Sequence, residues 1–199
     1  MAKIKLTKNE LKKQKDALKM YRRYLPTLML KKQQLQAEIR TIEVRIRELM
    51  EEKSRVDESF KSWIAVFGET GVFTADLLRI TGIRTGLGNI AGVAIPVFEG
   101  AGFEISPYDM VLKPLWLDTA LDRMRQVLLL DLEATVLEEQ RRRLDHELRV
   151  TTQRVNLFEK IKIPETRGNI KKIQVYLGDQ QTSAVVRGKI AKRGMERAQ

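Results

Sequence analysis

Cysteine is absent from the 199 residues, and histidine occurs once, as His146. Without thiols there is no disulfide scaffold, thiolate zinc site, iron–sulfur ligation or thiol catalysis, and a reducing, cytoplasmic setting fits. A single imidazole leaves no histidine cluster for a metal and no evident Ser-His-Asp relay. Aromatic residues make up only 6% of the chain. No uncharged run reaches the roughly 18 residues of a membrane span; the longest, 85–98, is interrupted by Gly86, Gly88, Asn89, Gly92 and Pro96. The first 30 residues scatter lysines and hold no continuous apolar core, so they do not read as a secretory signal. These absences count against an enzyme and against a protein inserted directly in the membrane, and they anticipate neither cofactor nor metal.

What the chain does have is charge and periodicity. Charged residues are 32% of the sequence, with 37 Lys and Arg against 26 Asp and Glu, and the hydrophobic share of 43% suffices for a fold. Eight of the 12 glycines fall between Gly68 and Gly102, and three of the five prolines (Pro96, Pro107, Pro114) between 96 and 114. Helix-breaking chemistry is thus gathered in the middle, flanked by two long arms. The resulting division is 1–67, an N-terminal coiled-coil helix; 68–114, a Gly/Pro-rich middle; 115–180, a C-terminal coiled-coil helix; and 181–199, a basic tail.

The first arm carries a heptad. Its a positions are Leu11, Leu18, Leu25, Lys32, Ile39, Ile46, Lys53, Phe60 and Phe67; its d positions are Gln14, Tyr21, Leu28, Leu35, Ile42, Leu49, Val56 and Trp63. Fourteen of these 17 are apolar, and a 3.5-residue repeat of that length describes a seam facing a partner helix. Thr7 with Glu10 forms a capping box that starts the helix at Lys8, and the period carries it to about Phe67. Pro26 implies a kink, or a short first helix joined to a longer second, because it lacks an N–H and crowds the carbonyl four residues back. Lys32 and Lys53 either fix the register or snorkel out of a loose stretch.

The second arm is periodic in blocks: Leu117, Leu121, Met124 and Leu128, then, after a phase shift, Leu130, Ala134, Leu137, Leu144, Leu148, Val155 and Phe158, interrupted by Arg141 and Thr151. Pro164 is expected to kink or interrupt the helix, which Ile170, Ile173 and Leu177 resume. Each arm is about 90 Å long at 1.5 Å per residue, so the pair suits an antiparallel hairpin. Paired positions then sum to about 182, which places Ile39 near Leu144. In the middle, Val93, Ile95 and Val97 alternate, residues 99–102 supply turn chemistry, and Phe103 and Ile105 alternate again. This pattern predicts a β-hairpin turning at 99–102, with Pro96 on an edge strand. Gly86-Leu87-Gly88 lacks nucleotide-loop spacing and reads as a flexible loop. His146 reads as a surface residue, and the pairs Glu51-Glu52 and Glu138-Glu139 as solvated helix faces.

Charge is distributed unevenly along the chain. Residues 1–32 carry a net +9, residues 160–199 a net +7, and residues 33–159 a net −5. An antiparallel pairing gathers the basic ends at one tip, suited to an acidic or multivalent partner. A basic coiled coil that binds nucleic acid by neutralising phosphates is the runner-up, distinguished by a steep salt dependence. A curved membrane-surface binder would spread its cations along one face.

Several segments together resemble the D subunit of the V-type/A-type rotary ATPases, in its bacterial branch. They are residues 5–11 (KLTKNEL), 25–32 (LPTLMLKK) and 92–97 (GVAIPV), and above all 154–160 (RVNLFEK) with Ile163-Pro164, followed by 169–173 and 177–179. Pro26 departs from many archaeal members. The resemblance implies an all-α-dominated fold, a long antiparallel two-helix coiled coil with a short β-hairpin-bearing middle. It also implies a non-catalytic central rotor shaft, peripheral on the cytoplasmic face of the membrane. Its implied partners are a hexamer of catalytic and regulatory subunits, the small F subunit on the shaft, and a funnel-like subunit coupled to the membrane rotor ring. Partner-binding candidates are Lys3, Lys5 and Lys8 at one terminus, Lys189, Lys192 and Arg193 at the other, and Arg154, Asn156 and Phe158 in the most specific block.

Overall fold

The computed structural model describes residues 4–61, 76–109, 113–114 and 116–197. Lys3, Trp63, Phe67, Gly68 and Leu115 lie outside them, as does the side chain of Phe60. The elements are α1 (Lys8–Lys61), β1 (Leu78–Ile90), β2 (Val93–Ile105), α2 (Trp116–Asn156), a wide π-helical stretch (Leu157–Lys162) and α3 (Ile163–Arg197). They fall into two compact units: a terminal unit of Met1–Lys32 with Val150–Gln199, and a central unit of Gln33–Arg149.

Helix α1 begins where the capping box puts it: the Glu10 amide donates to Thr7 Oγ1 at 3.2 Å. Every described a and d position from Leu11 to Val56 is buried or half-buried. Pro26 neither breaks the helix nor starts a second one, because α1 is helical from Lys8 to Lys61. Pro26 is exposed, so water can satisfy the carbonyl that loses its donor, while half-buried Leu25 and Leu28 hold the turn in place.

In the central unit α1 and α2 run antiparallel. Arg45 donates to Glu133 at 3.0 Å and Lys53 to Asp131 at 2.7 Å, pairs whose numbers sum to 178 and 184, either side of the expected 182. Leu35, Ile39, Ile42, Ile46, Leu144 and Ile95 form one buried cluster, so Ile39 and Leu144 do share a core. Lys53 on the seam has a carboxylate partner; its hydrogen bond to Asp131 raises the ammonium above its ordinary value, which favours the register-fixing reading.

The hairpin exists, but its turn is at Ala91-Gly92 rather than at 99–102. Ala91 (φ 51°) and Gly92 (φ 80°) are both left-handed, as a two-residue turn of type I′ requires, and Asn89 Oδ1 accepts from the Gly92 amide at 2.9 Å. The glycine-rich segment read as a flexible loop is strand β1, and residues 99–102 lie inside β2. There the register slips between Arg84/Thr85, with Gly100 at φ 138°, so the turn-forming residues serve a bulge. At Gly88 a Cβ would meet the branched side chain of Val97 across the pair, whereas at Gly86 it would meet only the mobile carboxylate end of exposed Glu99. Pro96 pairs with Leu87, and its carbonyl accepts from buried Gln140 on α2. A residue's N–H and C=O leave a strand on the same side, so its missing N–H lies on the outer edge and costs no ladder bond. A second cluster, Leu77, Leu117 and Leu121, with Trp116 and Tyr108 against it, closes the base of the hairpin.

In the terminal unit α1 again runs antiparallel to the C-terminal helix. Tyr21 and Phe158 stack at 5.1 Å between centroids, and Ile163, Thr166 and Ile173 are buried. Pro164 does not interrupt the helix; the stretch before it widens, with the Ile163 amide donating to the Phe158 carbonyl five residues back. Segment 181–197, set apart by sequence as a tail, continues α3. The fold is all-α-dominated: antiparallel coiled-coil pairing in both units, and one β-hairpin in the central one.

Candidate partner interface

Charge and packing divide the chain at nearly the same residues. The terminal unit holds 22 Lys and Arg against six Asp and Glu, a net of +16, and the central unit a net of −5. Six carboxylates cannot neutralise 22 cations, and an ion pair that does form in the terminal unit, Lys162–Glu165 at 3.7 Å, is exposed. Exposed pairs of this kind contribute about 0–1 kcal/mol, so the unit's positive potential is left to act on something else.

Lys5, Lys8, Lys189, Lys192 and Arg193 are exposed, and Lys3 lies outside the described residues. The Tyr21–Phe158 stack sets the local register and puts Lys8 level with Lys171. Lys189 then lies about 27 Å further along α3, at 1.5 Å per residue. The two basic clusters share an end of the terminal unit but do not stand side by side. From Gly178 to Met195 every residue of α3 is exposed, so no other helix among the described residues covers this end. Val186 and Ile190 stand one helical turn apart among the cations, at 49% and 65% exposure, with Val185 exposed beside them. Sequence reasoning missed these apolar residues because the heptads stop at Leu177, and residues that pack on no other helix among the described residues have no matching seam.

The specific block divides between two faces. Arg154 and Asn156 are exposed, whereas Phe158 is half-buried with its ring on Tyr21, inside the unit. Arg154 and Asn156 are therefore available to a partner, and Phe158 holds the helices together.

The central unit carries a cleft of about 600 Å³ beside Val93 of the hairpin, lined by Arg141, Arg142, Arg143, Arg149 and His146 with Asp145 and Glu147. His146 is exposed, as expected. Glu139, read as solvated, is instead half-buried and clamped: Arg142 donates to it at 2.7 and 2.8 Å and Arg143 at 2.7 Å. Those guanidinium hydrogen bonds hold its carboxyl at about 2. Arg143 also reaches the Ala94 carbonyl at 3.3 Å, tying the clamp to β2. Glu51, Glu52 and Glu138 are exposed. Among the described residues no three His, Cys, Asp or Glu could hold a metal ion, and no helix is long and apolar enough to cross a membrane.

Residues 10–193 match the family model of the ATP synthase D subunit. Among curated proteins, the chain is 49% identical over 195 residues to the V-type ATP synthase D subunit of Borreliella burgdorferi, covering 98% of this chain and 96% of that one. It is 35% identical over 199 residues to the protein of the same name from Chlamydia felis, covering 97% and 94%, and 33% over 202 residues to that from Chlamydia pneumoniae, covering 97% and 93%.

Proposed function

The chain belongs to the family of the ATP synthase D subunit, and on that premise we propose that it is the non-catalytic central rotor shaft of a V-type ATPase, peripheral on the cytoplasmic face of the membrane. The observation that carries the reading is the exposed, cationic end of α3 within a unit of net charge +16. That end enters the cavity of a hexamer of catalytic and regulatory subunits. The small F subunit binds the shaft, and a funnel-like subunit joins it to the membrane rotor ring. An antiparallel helix pair has no threefold axis. Inside a ring of three equivalent catalytic interfaces it touches each differently and biases each toward a different nucleotide affinity. Those differential contacts are a coupling free energy, and coupling is reciprocal: nucleotide occupancy drives the shaft, and a shaft turned by ion flow changes occupancy. Contacts that must be exchanged among three positions favour long Lys and Arg side chains over deep aromatic anchors. The end of α3 beyond Tyr176 has cations and small aliphatics and no aromatic residue.

The test replaces Lys3, Lys5, Lys8, Lys189, Lys192 and Arg193 with Gln. None of these occupies the seam, so the fold is expected to survive. Affinity for the catalytic hexamer is expected to fall most at low salt, with the difference narrowing as salt rises, since exposed charges are screened beyond about 8–10 Å at physiological ionic strength. Unchanged affinity and salt dependence would reduce these cations to a solubility role. Wild-type chain that retains nucleic acid in place of ATPase subunits would favour the phosphate-binding alternative.

A further inference from the structure

One series of buried and half-buried positions along the C-terminal arm keeps a three-and-four rhythm with one exception, while Asp145, Glu147, Val150, Thr152, Lys162 and Asn169 are half-buried beside it. Leu144, Leu148, Thr151, Val155 and Phe158 advance by steps of four, three, four and three; Ile163, Thr166, Ile170, Ile173 and Leu177 advance by three, four, three and four. Between the two series, from Phe158 to Ile163, the step is five, and it falls inside the wide stretch Leu157–Lys162. A heptad seam permits steps of three and four only, so a step of five is one residue too many. In a regular α-helix that residue would turn Ile163, Thr166 and Ile173 about 100° away from the seam. They are instead buried, with Ile173 at 0% exposure. The wide turn absorbs the extra residue: the Ile163 amide reaches back five residues to Phe158 rather than four.

Two neighbours confine this turn. A wide turn migrates along a helix by exchanging five-back for four-back hydrogen bonds, and Pro164 has no N–H with which to take the next step. On the other side Phe158 is held by Tyr21. The turn's outward residues Leu157, Glu159, Lys160 and Ile161 are exposed, and none of them packs a core that would offset the poorer hydrogen bonding.

We propose that Leu157–Lys162 is a pinned one-residue phase insertion, and that it is the locally weakest joint of the C-terminal arm, where twist between the segments on either side is concentrated. As a statement about torque this rests on the shaft reading; as a statement about phase and local opening it stands on the free chain alone.

Two single-residue deletions in the full-length chain separate the possibilities. Removing Glu159, exposed and inside the wide turn, leaves Ile163 four residues after Phe158 in an ordinary α-helix. Removing Gly168, exposed, uncharged and a poor helix former, shifts Ile170, Ile173 and Leu177 off the seam. The Glu159 deletion is expected to match or raise the melting temperature, and the Gly168 deletion to lower it by at least about 5 °C. Equal losses in both variants would overturn the phase insertion. In hydrogen exchange, the wild-type amides of 158–163 are expected to exchange at least about tenfold faster than those of 166–173, and deleting Glu159 is expected to abolish the contrast. Uniform protection across both segments in the wild type would overturn the joint. Neither measurement involves the ATPase, so a failure of the shaft reading leaves both outcomes decisive.

Discussion

Leu144 is where the account of the central unit is most exposed to test. Its side chain has 0% exposure and lies in one cluster with Leu35, Ile39, Ile42 and Ile46 from α1 and Ile95 from β2. Leu144→Ala removes three carbons, about 2.4 kcal/mol at about 0.8 kcal/mol per buried methylene. The walls belong to two helices and a hairpin tied down by Gln140 and Arg143, so the site collapses only in part, and a cavity term brings the expected cost to about 3–5 kcal/mol. For a chain of this length each kcal/mol shifts the melting temperature by about 2–4 °C, so a fall of about 6–20 °C is expected. Urea unfolding followed by far-UV circular dichroism should show a lower midpoint at unchanged slope. The comparison is Leu157→Ala, at 39% exposure, expected to cost less than about 1 kcal/mol. If Leu144→Ala cost no more than Leu157→Ala, the cluster would not be what holds α1, α2 and the hairpin together.

Cysteines at Ile39 and Leu144, introduced into a chain that has none, are expected to crosslink within one molecule with a short reagent; failure here and at all neighbours within one turn would reject the antiparallel register. Glu139 has its carboxyl held at about 2, below its ordinary 4.5, so its contribution is present above about pH 4.5 and lost as the pH falls toward 2. Glu139→Gln is expected to flatten the melting-temperature profile across that window, and an unaltered profile would show the clamp to be idle. Gly92→Val forces a branched side chain to φ 80° and is expected to cost about 1–2 kcal/mol, whereas Gly82→Ala, with open space around the new Cβ, is expected to be near neutral. Equal thermal shifts for these two variants would contradict the turn at 91–92.

The helical seams were legible because burial of one stripe leaves a 3.5-residue imprint: Leu35, Ile39, Ile42, Ile46, Leu49 and Val56 are buried where the heptad puts them. The antiparallel register followed from arm length and is carried by Arg45–Glu133 and Lys53–Asp131. The hairpin was foreseen but its turn was misplaced, because Glu99-Gly100-Ala101-Gly102 looks more turn-like than Ala91-Gly92. Bulges and tight turns both recruit glycine, and composition does not separate them. β1 was missed for a related reason: Gly82, Gly86 and Gly88 dilute the apolar alternation, yet the small size of Gly88 is what makes room for Val97 of β2. The wide turn left a signal in the sequence, the step of five from Phe158 to Ile163, but Pro164 beside it suggested an interruption instead. The exposed end of α3 left none, since a helix that nothing among the described residues covers has no seam to imprint.

Rotation tests the central claim most directly. With Leu87, 90% exposed on β1, replaced by the chain's sole cysteine, a bead can be attached to the chain after assembly with an immobilised V-type catalytic hexamer. On addition of ATP the bead is expected to turn in one direction, in three equal steps per revolution, and to stop when ATP is withdrawn. A bead that stays still while the bound hexamer hydrolyses ATP would contradict the assignment of this chain as the rotor.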